Sequence, residues 1–433
     1  MAAGGAEADR EAGKLRGAMA GQIAERYQAF AALFPGQREL GEGLPGSVVA
    51  ALRKVPRHLF TPGVPLARAY EDDAVVLPQA GEGSAGRSPV SAPSMIALML
   101  AQLDVRPGES VLEIGSGGYQ AALLRELAGP GGSVTTLDID PEVVSRARAC
   151  LDRAGYGDVR AVCADGEYGA PGGGPFDKII VAVEAWDVPP AWTGQLAPGG
   201  RLVVPLLTRG LPRSWALDRR DGHLVSRSDL PAYFVPMRGA GEYRTWSVPL
   251  DEAGVSLWGE EPQRAGVDRA ALAGVLAAER CEARTGVTLP MGVPVRSGPD
   301  LWLVTDPDLC WLNAGMDAID RGVVIPTGMI FRSGRLDTPA LASGGSLAYY
   351  GWRPVDEDRT AVEYRACGHG PHGAELAERL AGHIQAWDRD HRTGPGPVLT
   401  VHPAGTPADD LPSGHVLKKR HSTIVLSWPG PAR

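Results

Sequence analysis

Apolar and polar positions follow two different rhythms along this chain, and the change of rhythm divides it. Between Ser94 and Pro205, short apolar runs alternate with stretches whose apolar positions recur at three- and four-residue spacing. The runs predict strands at Ser110 to Ile114, Ser133 to Asp138, Val159 to Cys163, Lys178 to Val183 and Arg201 to Pro205. The amphipathic stretches predict helices at Ser94 to Leu103, Tyr119 to Ala128 and Pro141 to Ala154, with Pro189 to Leu196 as the segment before the last strand. Strands of this kind alternating with helices mean βαβ units and a sheet covered on both faces. The expected fold class is therefore α/β, a doubly wound and mainly parallel sheet.

Upstream, Leu15 to Phe34 and Gly46 to Arg53 read as helices, the second stopped by Pro56, and Tyr70 to Pro93 reads as a long Gly-, Ser- and Pro-punctuated loop. Loops of that length inside a domain are usually functional or disordered. Met1 to Lys14 is rich in Ala, Gly and Glu without an apolar segment and is expected to be a disordered arm. After Met237 the pattern shifts to strand-like pieces such as Thr245 to Leu250 and Leu301 to Val304, with helical runs at Arg269 to Glu279 and Ala374 to Trp387. Three spans follow: an arm over 1–14, the sheet domain with its helical entry over 15–238, and a C-terminal α+β domain over 239–433.

Length agrees with this division, since 433 residues exceed what one hydrophobic core usually serves. A net charge of -8 argues against a surface selected for nucleic-acid phosphates, so no nucleic-acid partner is expected. Five cysteines without repeated spacing fit reduced thiols in a cytoplasmic protein. Pro, Gly and charges interrupt every apolar stretch well short of the roughly 18 residues that cross a bilayer, so no membrane partner is expected. Cys367-Gly368-His369-Gly370-Pro371-His372 carries ligand-type residues, but no second pair accompanies it and no metal is expected.

The chemistry lies where the strands end. Val111-Leu112-Glu113-Ile114 runs into Gly115-Ser116-Gly117-Gly118 and then a helix, a turn in which glycines allow close backbone approach to a ligand and the helix offers unpaired N–H groups. A bland tight turn has the same composition. The next strand ends in Asp138, about twenty residues past the glycines, where a carboxylate accepts from ribose hydroxyls. Asp140 is better placed than Asp138 to cap the helix that starts at Pro141. The third strand ends at Asp165-Gly166, a carboxylate positioned for an adenine amino group. The turn does not read G-x-G-x-x-G, so an adenosyl ligand without pyrophosphate suits it better than a dinucleotide.

Several motifs together resemble the protein-L-isoaspartate O-methyltransferase family over roughly Leu15 to Thr208. They are Val55-Pro56-Arg57-His58-Leu59-Phe60, Ala69-Tyr70-Glu71-Asp72, Val90-Ser91-Ala92-Pro93, Val111-Leu112-Glu113-Ile114-Gly115, Tyr119-Gln120-Ala121-Ala122, Asp165-Gly166 and Pro175-Phe176-Asp177-Lys178-Ile179-Ile180. The resemblance implies a class I methyltransferase (Rossmann-like) sheet with S-adenosyl-L-methionine as cofactor and S-adenosyl-L-homocysteine as product. It implies that Glu113, Gly115, Ser116, Gly117, Gln120, Asp138, Ile139, Asp165 and Gly166 hold the cofactor. It also implies that the loop Val90, Ser91, Ala92, Pro93 meets the substrate, with Ser91 touching its carboxylate.

The chain departs from the family's usual pattern in a glycine turn shorter by one residue, in Glu184-Ala185-Trp186-Asp187 where an Ala-rich stretch is usual, and in the long extension. These departures resemble the peptide-modifying branch, the FxLD-type methyltransferases associated with lanthipeptide, graspetide and imiditide biosynthesis. That resemblance implies a precursor peptide as partner, methylation of an L-aspartate in it, and closure to an aspartimide that persists or hydrolyses to isoaspartate. Housekeeping repair of isoaspartyl damage and a non-catalytic peptide-binding protein are the alternatives. In the extension, the basic run Lys418-Lys419-Arg420-His421 is either a solvated face or a patch for an acidic peptide or the substrate carboxylate, which makes His421 a candidate substrate contact. The extension is expected to recognise the peptide, so deletion of Gly239 to Arg433 is expected to abolish its methylation.

Overall fold

The computed structural model describes residues 2–32, 43–77, 89–115, 117–252, 254–261, 266–290, 298–325, 329–330 and 335–429. The chain forms two compact units. One comprises Met1–Leu207, Pro212–Glu242 and Val398–Ser427, and the other Thr208–Leu211, Tyr243–Pro397 and Trp428–Arg433.

The first unit opens with α1 (Ala2–Ala32), which begins where a disordered arm is expected over 1–14. Ala, Glu, Arg and Lys dominate that stretch and favour helix, and Ala12, Met19 and Ile23 anchor the helix in the core. Next come α2 (Gly46–Lys54), the single turn α3 (Leu66–Ala69) and α4 (Pro93–Leu103). The βα units are β1 (Ser110–Ile114), α5 (Tyr119–Ala128), β2 (Ser133–Asp138), α6 (Pro141–Ala154), β3 (Arg160–Cys163), β4 (Phe176–Val181), α7 (Pro190–Gln195) and β5 (Leu196–Thr208). Strands β1 to β5 pair in parallel in the order β3-β2-β1-β4-β5, the doubly wound arrangement. Asp140 caps α6 by accepting the Glu142 amide at 3.0 Å, and Pro141 stands at the first helical position. Ile23, Leu52, Ile96, Leu100, Leu123, Leu124 and Val111 share one buried cluster, so α1, α2, α4 and α5 pack into one core with β1.

Antiparallel strands then widen the sheet. β6 (Leu211–Arg220) and β7 (His223–Pro231) form a hairpin beside β5 that the periodicity did not predict.

The second unit has its own sheet, with β8 (Thr245–Pro249), β9 (Ser256–Glu260), β10 (Cys281–Pro290), β11 (Leu309–Gly315), β12 (Met329–Ile330), β13 (Arg335–Ser343), β14 (Ser346–Pro354) and β15 (Ala361–His369). The order is β10-β15-β14-β13-β11-β9-β8, with β12 on β13. Its helices are α8 (Arg269–Leu272), α9 (Asp300–Leu303), α10 (Met316–Asp320) and α11 (Gly373–Asp390), the last burying Leu376, Leu380, Ile384 and Trp387 along one face. Two expectations are corrected here. Leu301 to Val304 lies in and after α9 instead of a strand, and Arg269 to Glu279 is broken at Gly274, whose φ of 76° ends one helical turn and begins another.

The chain then returns to the first unit as β16 (Val398–Pro403), β17 (His415–Lys418) and β18 (Ser422–Ser427), completing a ten-stranded sheet, β17-β18-β16-β7-β6-β5-β4-β1-β2-β3. The expected span of 239–433 for one C-terminal domain is corrected accordingly: β16 pairs with β7 at Thr400 and Val401, because an open edge on β7 needs backbone partners. No helix among the described residues is long and apolar enough to cross a membrane.

One side chain ties α4 to the β6–β7 hairpin. Gln102 is 6% exposed, donates Nε2 to the Ser214 carbonyl and the Ser228 hydroxyl at 3.2 Å each, and accepts from Ser214 Oγ at 2.6 Å. Gln102→Leu keeps the volume but leaves buried Ser214 groups unsatisfied, so stability is expected to fall by about 1–3 kcal/mol. An unchanged urea midpoint for the variant would refute this bridging role.

Candidate functional site

The parallel order reverses between β1 and β4, and ligands of open α/β sheets bind beyond the carboxyl ends of the strands at such a point. β1 ends with fully buried Glu113 and with Ile114, followed by Gly115 at φ 86° and by Gly118 at φ 96°, the N-cap of α5. A Cβ on Gly115 would stand 2.7 Å from Val183 Cγ1, so only glycine fits. Among the described residues no side chain caps α5, whose first-turn amides have no partner within the helix. A small cavity lies here, with Ser91, Gly115, Gly117, Gln120 and Ala182 in its lining. Gln120 is 4% exposed and its Nε2 has no hydrogen-bond partner among the described residues. Ser116 lies outside the described residues.

The strand-tip carboxylates divide their duties. Asp138, at the end of β2, accepts the Asp140 amide on Oδ1 at 2.9 Å, and Arg238 Nη2 stands 3.9 Å from the same oxygen. Burial raises its pKa above the ordinary value, and the Asp140 amide and Arg238 offset only part of that. Asp165 accepts the Glu167 amide on Oδ1 at 3.0 Å and the Ala240 amide on Oδ2 at 2.8 Å, so each of its oxygens already holds one backbone donor. Gly166 packs against Ile114 and Met237, and its carbonyl accepts the indole N–H of buried Trp192 at 2.7 Å. Ile139 lies against Gly239 of the same covering segment.

The loop that ends in Val90, Ser91, Ala92 and Pro93 hangs on a residue to which the motifs assign no role. Arg57 is fully buried; Nε donates to the Ala69 carbonyl at 2.9 Å and Nη2 to the carbonyls of Ser91 at 3.0 Å and Asp73 at 3.3 Å. Its guanidinium carbon lies 4.9 Å from the centre of the Tyr119 ring, at the start of α5. Val90 pairs with Val75 across the loop, Ala92 is the N-cap of α4 and Pro93 its first residue. Asp72 accepts the Ser94 amide at 2.9 Å, so the loop also closes the amino end of α4.

His421 sits in the turn between β17 and β18. Its Nε2 is 3.0 Å from Glu167 Oε1 and its amide donates to Asp187 Oδ2 at 2.6 Å. The structure thus places this expected substrate contact on a carboxylate of the chain itself, beside the tips of β3 and β4. Burial raises the pKa of Glu167.

The arrangement suits an adenosyl cofactor. The orphaned Gln120 amide, the glycine backbone that admits no Cβ, the first-turn amides of α5 and the remaining acceptor capacity of Asp138 fit its carboxylate and ribose.

The family model described as Protein-L-isoaspartate(D-aspartate) O-methyltransferase (PCMT) matches residues 32–242. Protein-L-isoaspartate O-methyltransferase of Aeropyrum pernix is 41% identical over 200 residues, which is 46% of this chain and 74% of that protein. This chain belongs to the protein-L-isoaspartate O-methyltransferase family. Protein-L-isoaspartate O-methyltransferase 2 of Archaeoglobus fulgidus is 38% identical over 208 residues, covering 47% of this chain and 90% of its own. Among solved structures, a protein-L-isoaspartate O-methyltransferase matches 86% of this chain and 95% of its own at 22% identity and a TM-score of 0.46. Another, from Plasmodium falciparum and in complex with S-adenosyl-L-homocysteine, matches 52% of this chain and 98% of its own at 17% identity and a TM-score of 0.42.

Arg57, Arg238, Glu167 and Asp187 escaped the sequence reading. The first stands inside a family motif, which was a signal that it mattered but not how, and the other three act through contacts distant in the chain.

Two outcomes test the site. Ionised Asp138 costs stability, because its folded pKa lies above the ordinary 3.8; the cofactor-free protein therefore loses stability as pH rises from 3.8 through the folded value. Asp138→Asn removes that loss, so the variant is expected to melt no lower than the parent at neutral pH while its S-adenosyl-L-homocysteine affinity falls roughly 10- to 100-fold, as for one charge-assisted hydrogen bond. Calorimetric titration showing equal affinities would remove Asp138 from the site. Arg57→Lys keeps the charge but not the fork; unfolding in urea is expected to register a loss of about 2 kcal/mol, with kcat/KM for the acceptor reduced and cofactor affinity retained. A variant as stable and as active as the parent would contradict the account of the loop.

Proposed function

We propose that this chain transfers a methyl group from S-adenosyl-L-methionine to the side-chain carboxylate of an isoaspartyl or D-aspartyl residue in a polypeptide. The protein is an S-adenosylmethionine-dependent protein carboxyl O-methyltransferase of this family. The observation that supports the reading most directly is the shared cavity, in which Ser91 of the acceptor loop and the Gly115 and Gly117 turn line one space.

When bound, S-adenosyl-L-methionine supplies an electrophilic methyl group and leaves as S-adenosyl-L-homocysteine. The acceptor carboxylate is ionised at neutral pH, because aspartyl carboxyls titrate near 4, and needs no general base. The work of the chain is alignment. Ser91 orients the acceptor oxygen, the α5 amides and Gln120 take the amino-acid end of the cofactor, Asp138 takes ribose hydroxyls, and Asp165 takes the adenine amino group through its second lone pairs.

A second reading is favoured by the chain beyond residue 242. The family match ends there, while Tyr243–Pro397 builds a separate sheet and core. In this reading that unit binds a precursor peptide, the methylated residue is an ordinary L-aspartate, and the following amide nitrogen displaces methanol to close an aspartimide.

Paired peptides of one sequence, with isoaspartate or L-aspartate at the same position, separate the two. Mass spectrometry is expected to find one added methyl on the isoaspartyl peptide only. Methylation of L-aspartate followed by net loss of water in one dedicated peptide would establish the second reading, and no methylation of any aspartyl peptide would defeat both.

A further inference from the structure

The segment that covers the strand tips is itself held from outside. Arg238 reaches toward Asp138 and stands 3.6 Å from Asp140, Gly239 adopts φ 83° with Asp165 Oδ2 and Ile139 Cδ1 where a Cβ would be, and Ala240 donates its amide to Asp165. Residues 238–240 therefore touch both carboxylates assigned to the cofactor. The Ala240 carbonyl in turn accepts Arg420 Nη1 at 2.8 Å. Next to Arg420, His421 is bound by Glu167 and Asp187, and Ser422 donates its hydroxyl to Asp187 Oδ1 at 2.5 Å. Lys419 lies over the Trp186 ring at 4.4 Å from its centre. Every residue of the turn 419–422 is thus engaged with a segment that follows β3, β4 or β7.

We propose that the β17–β18 turn is a positioning element for the adenosyl cofactor, with Arg420 and Asp187 as positioning residues. Asp187 seats the turn, Arg420 braces Ala240, and Ala240 holds Asp165 in the orientation that receives the adenine. The ordering of 238–240 is completed in the free protein, so binding does not have to supply it. The turn lies in a part of the chain outside the family match, which ends at residue 242. This inference rests on the reading that Asp138 and Asp165 face the cofactor, and its consequence is that Arg420, separated by 180 positions from the Ala240 it braces, helps set cofactor affinity.

Titration calorimetry of the full chain with S-adenosyl-L-homocysteine tests it. Arg420→Ala and Asp187→Ala are expected to weaken binding roughly tenfold, a typical coupling between linked sites. Arg420→Lys, which still offers a donor to the Ala240 carbonyl, is expected to restore most of the affinity. The KM for S-adenosyl-L-methionine should rise with the same factor while kcat at saturation stays near that of the parent. Arg420 is exposed, so its alanine variant is expected to melt with the parent when cofactor-free, and it decides the matter should Asp187→Ala fail to fold. Parental affinity in Arg420→Ala, or an equal loss in Arg420→Lys, overturns the proposal. Failure of the methyl-transfer reading looks different: binding would respond to these substitutions, yet no aspartyl peptide would be methylated.

Discussion

The guanidinium of Arg57 is withdrawn from water, and a charge so placed has to be surrounded by oriented acceptors. Its acceptors are the carbonyls of Ala69, the last residue of α3, and of Asp73 and Ser91 from the two arms of the 70–93 loop, and its open face rests on Tyr119 at the head of α5. Loop and glycine turn thereby share one reference point. Because Ala92 and Pro93 start α4 directly, and Asp72 accepts the Ser94 amide, the same contact network sets where that helix enters the core. Tyr70, Val75, Leu77 and Val90 of the loop are themselves buried in the core, so packing and this polar anchor hold it together.

The carboxylates at and just beyond the strand ends differ in how far the chain itself satisfies them. Asp140 caps α6 and Asp187 seats the C-terminal turn, each with backbone donors on its oxygens. Two backbone amides orient Asp165 and still leave lone pairs. Asp138 differs: burial raises its pKa, and one amide and a distant arginine meet only part of its demand. An ionised group kept short of partners is unfavourable for folding alone and favourable for binding hydroxyl donors.

The parallel half of the sheet was legible because period and punctuation agree there: Asp140-Pro141 opens α6, Gly155 closes it, and β1 and β4 are short, largely apolar runs, whereas β5 begins at Leu196, before the apolar run that announced it. The ends of the first three strands, at Ile114, Asp138 and Cys163, were legible for the same reason, since a Gly or Asp at or just after such a run stops it. Leu301 to Val304 misled because a four-residue apolar run carries no period, and α9 is one turn long. The partners of Arg57, Glu167 and Asp187 were not legible, as each lies across the fold from it. For His421 the residue was visible as part of a basic run, but its engagement with Glu167 depends on the return of β17 and β18 to the first sheet, which no local pattern announces.

That return also changes what a truncation means. Removing everything after residue 238 was expected to isolate the role of the extension, yet it would take away β16, β18 and β17 together with Arg420 and His421. The deletion would expose the edge of β7, where Leu399 now donates its amide to Ser226 and Thr400 and Val401 pair with Val225 and Leu224. An unpaired strand edge is a site for aggregation and fraying. Lost activity in such a fragment would therefore follow from damage to the catalytic sheet whether or not the second unit binds a peptide. The informative excision removes Tyr243–Pro397, the longest stretch of the second unit, because it leaves β16, β17 and β18 in the sheet that carries the site.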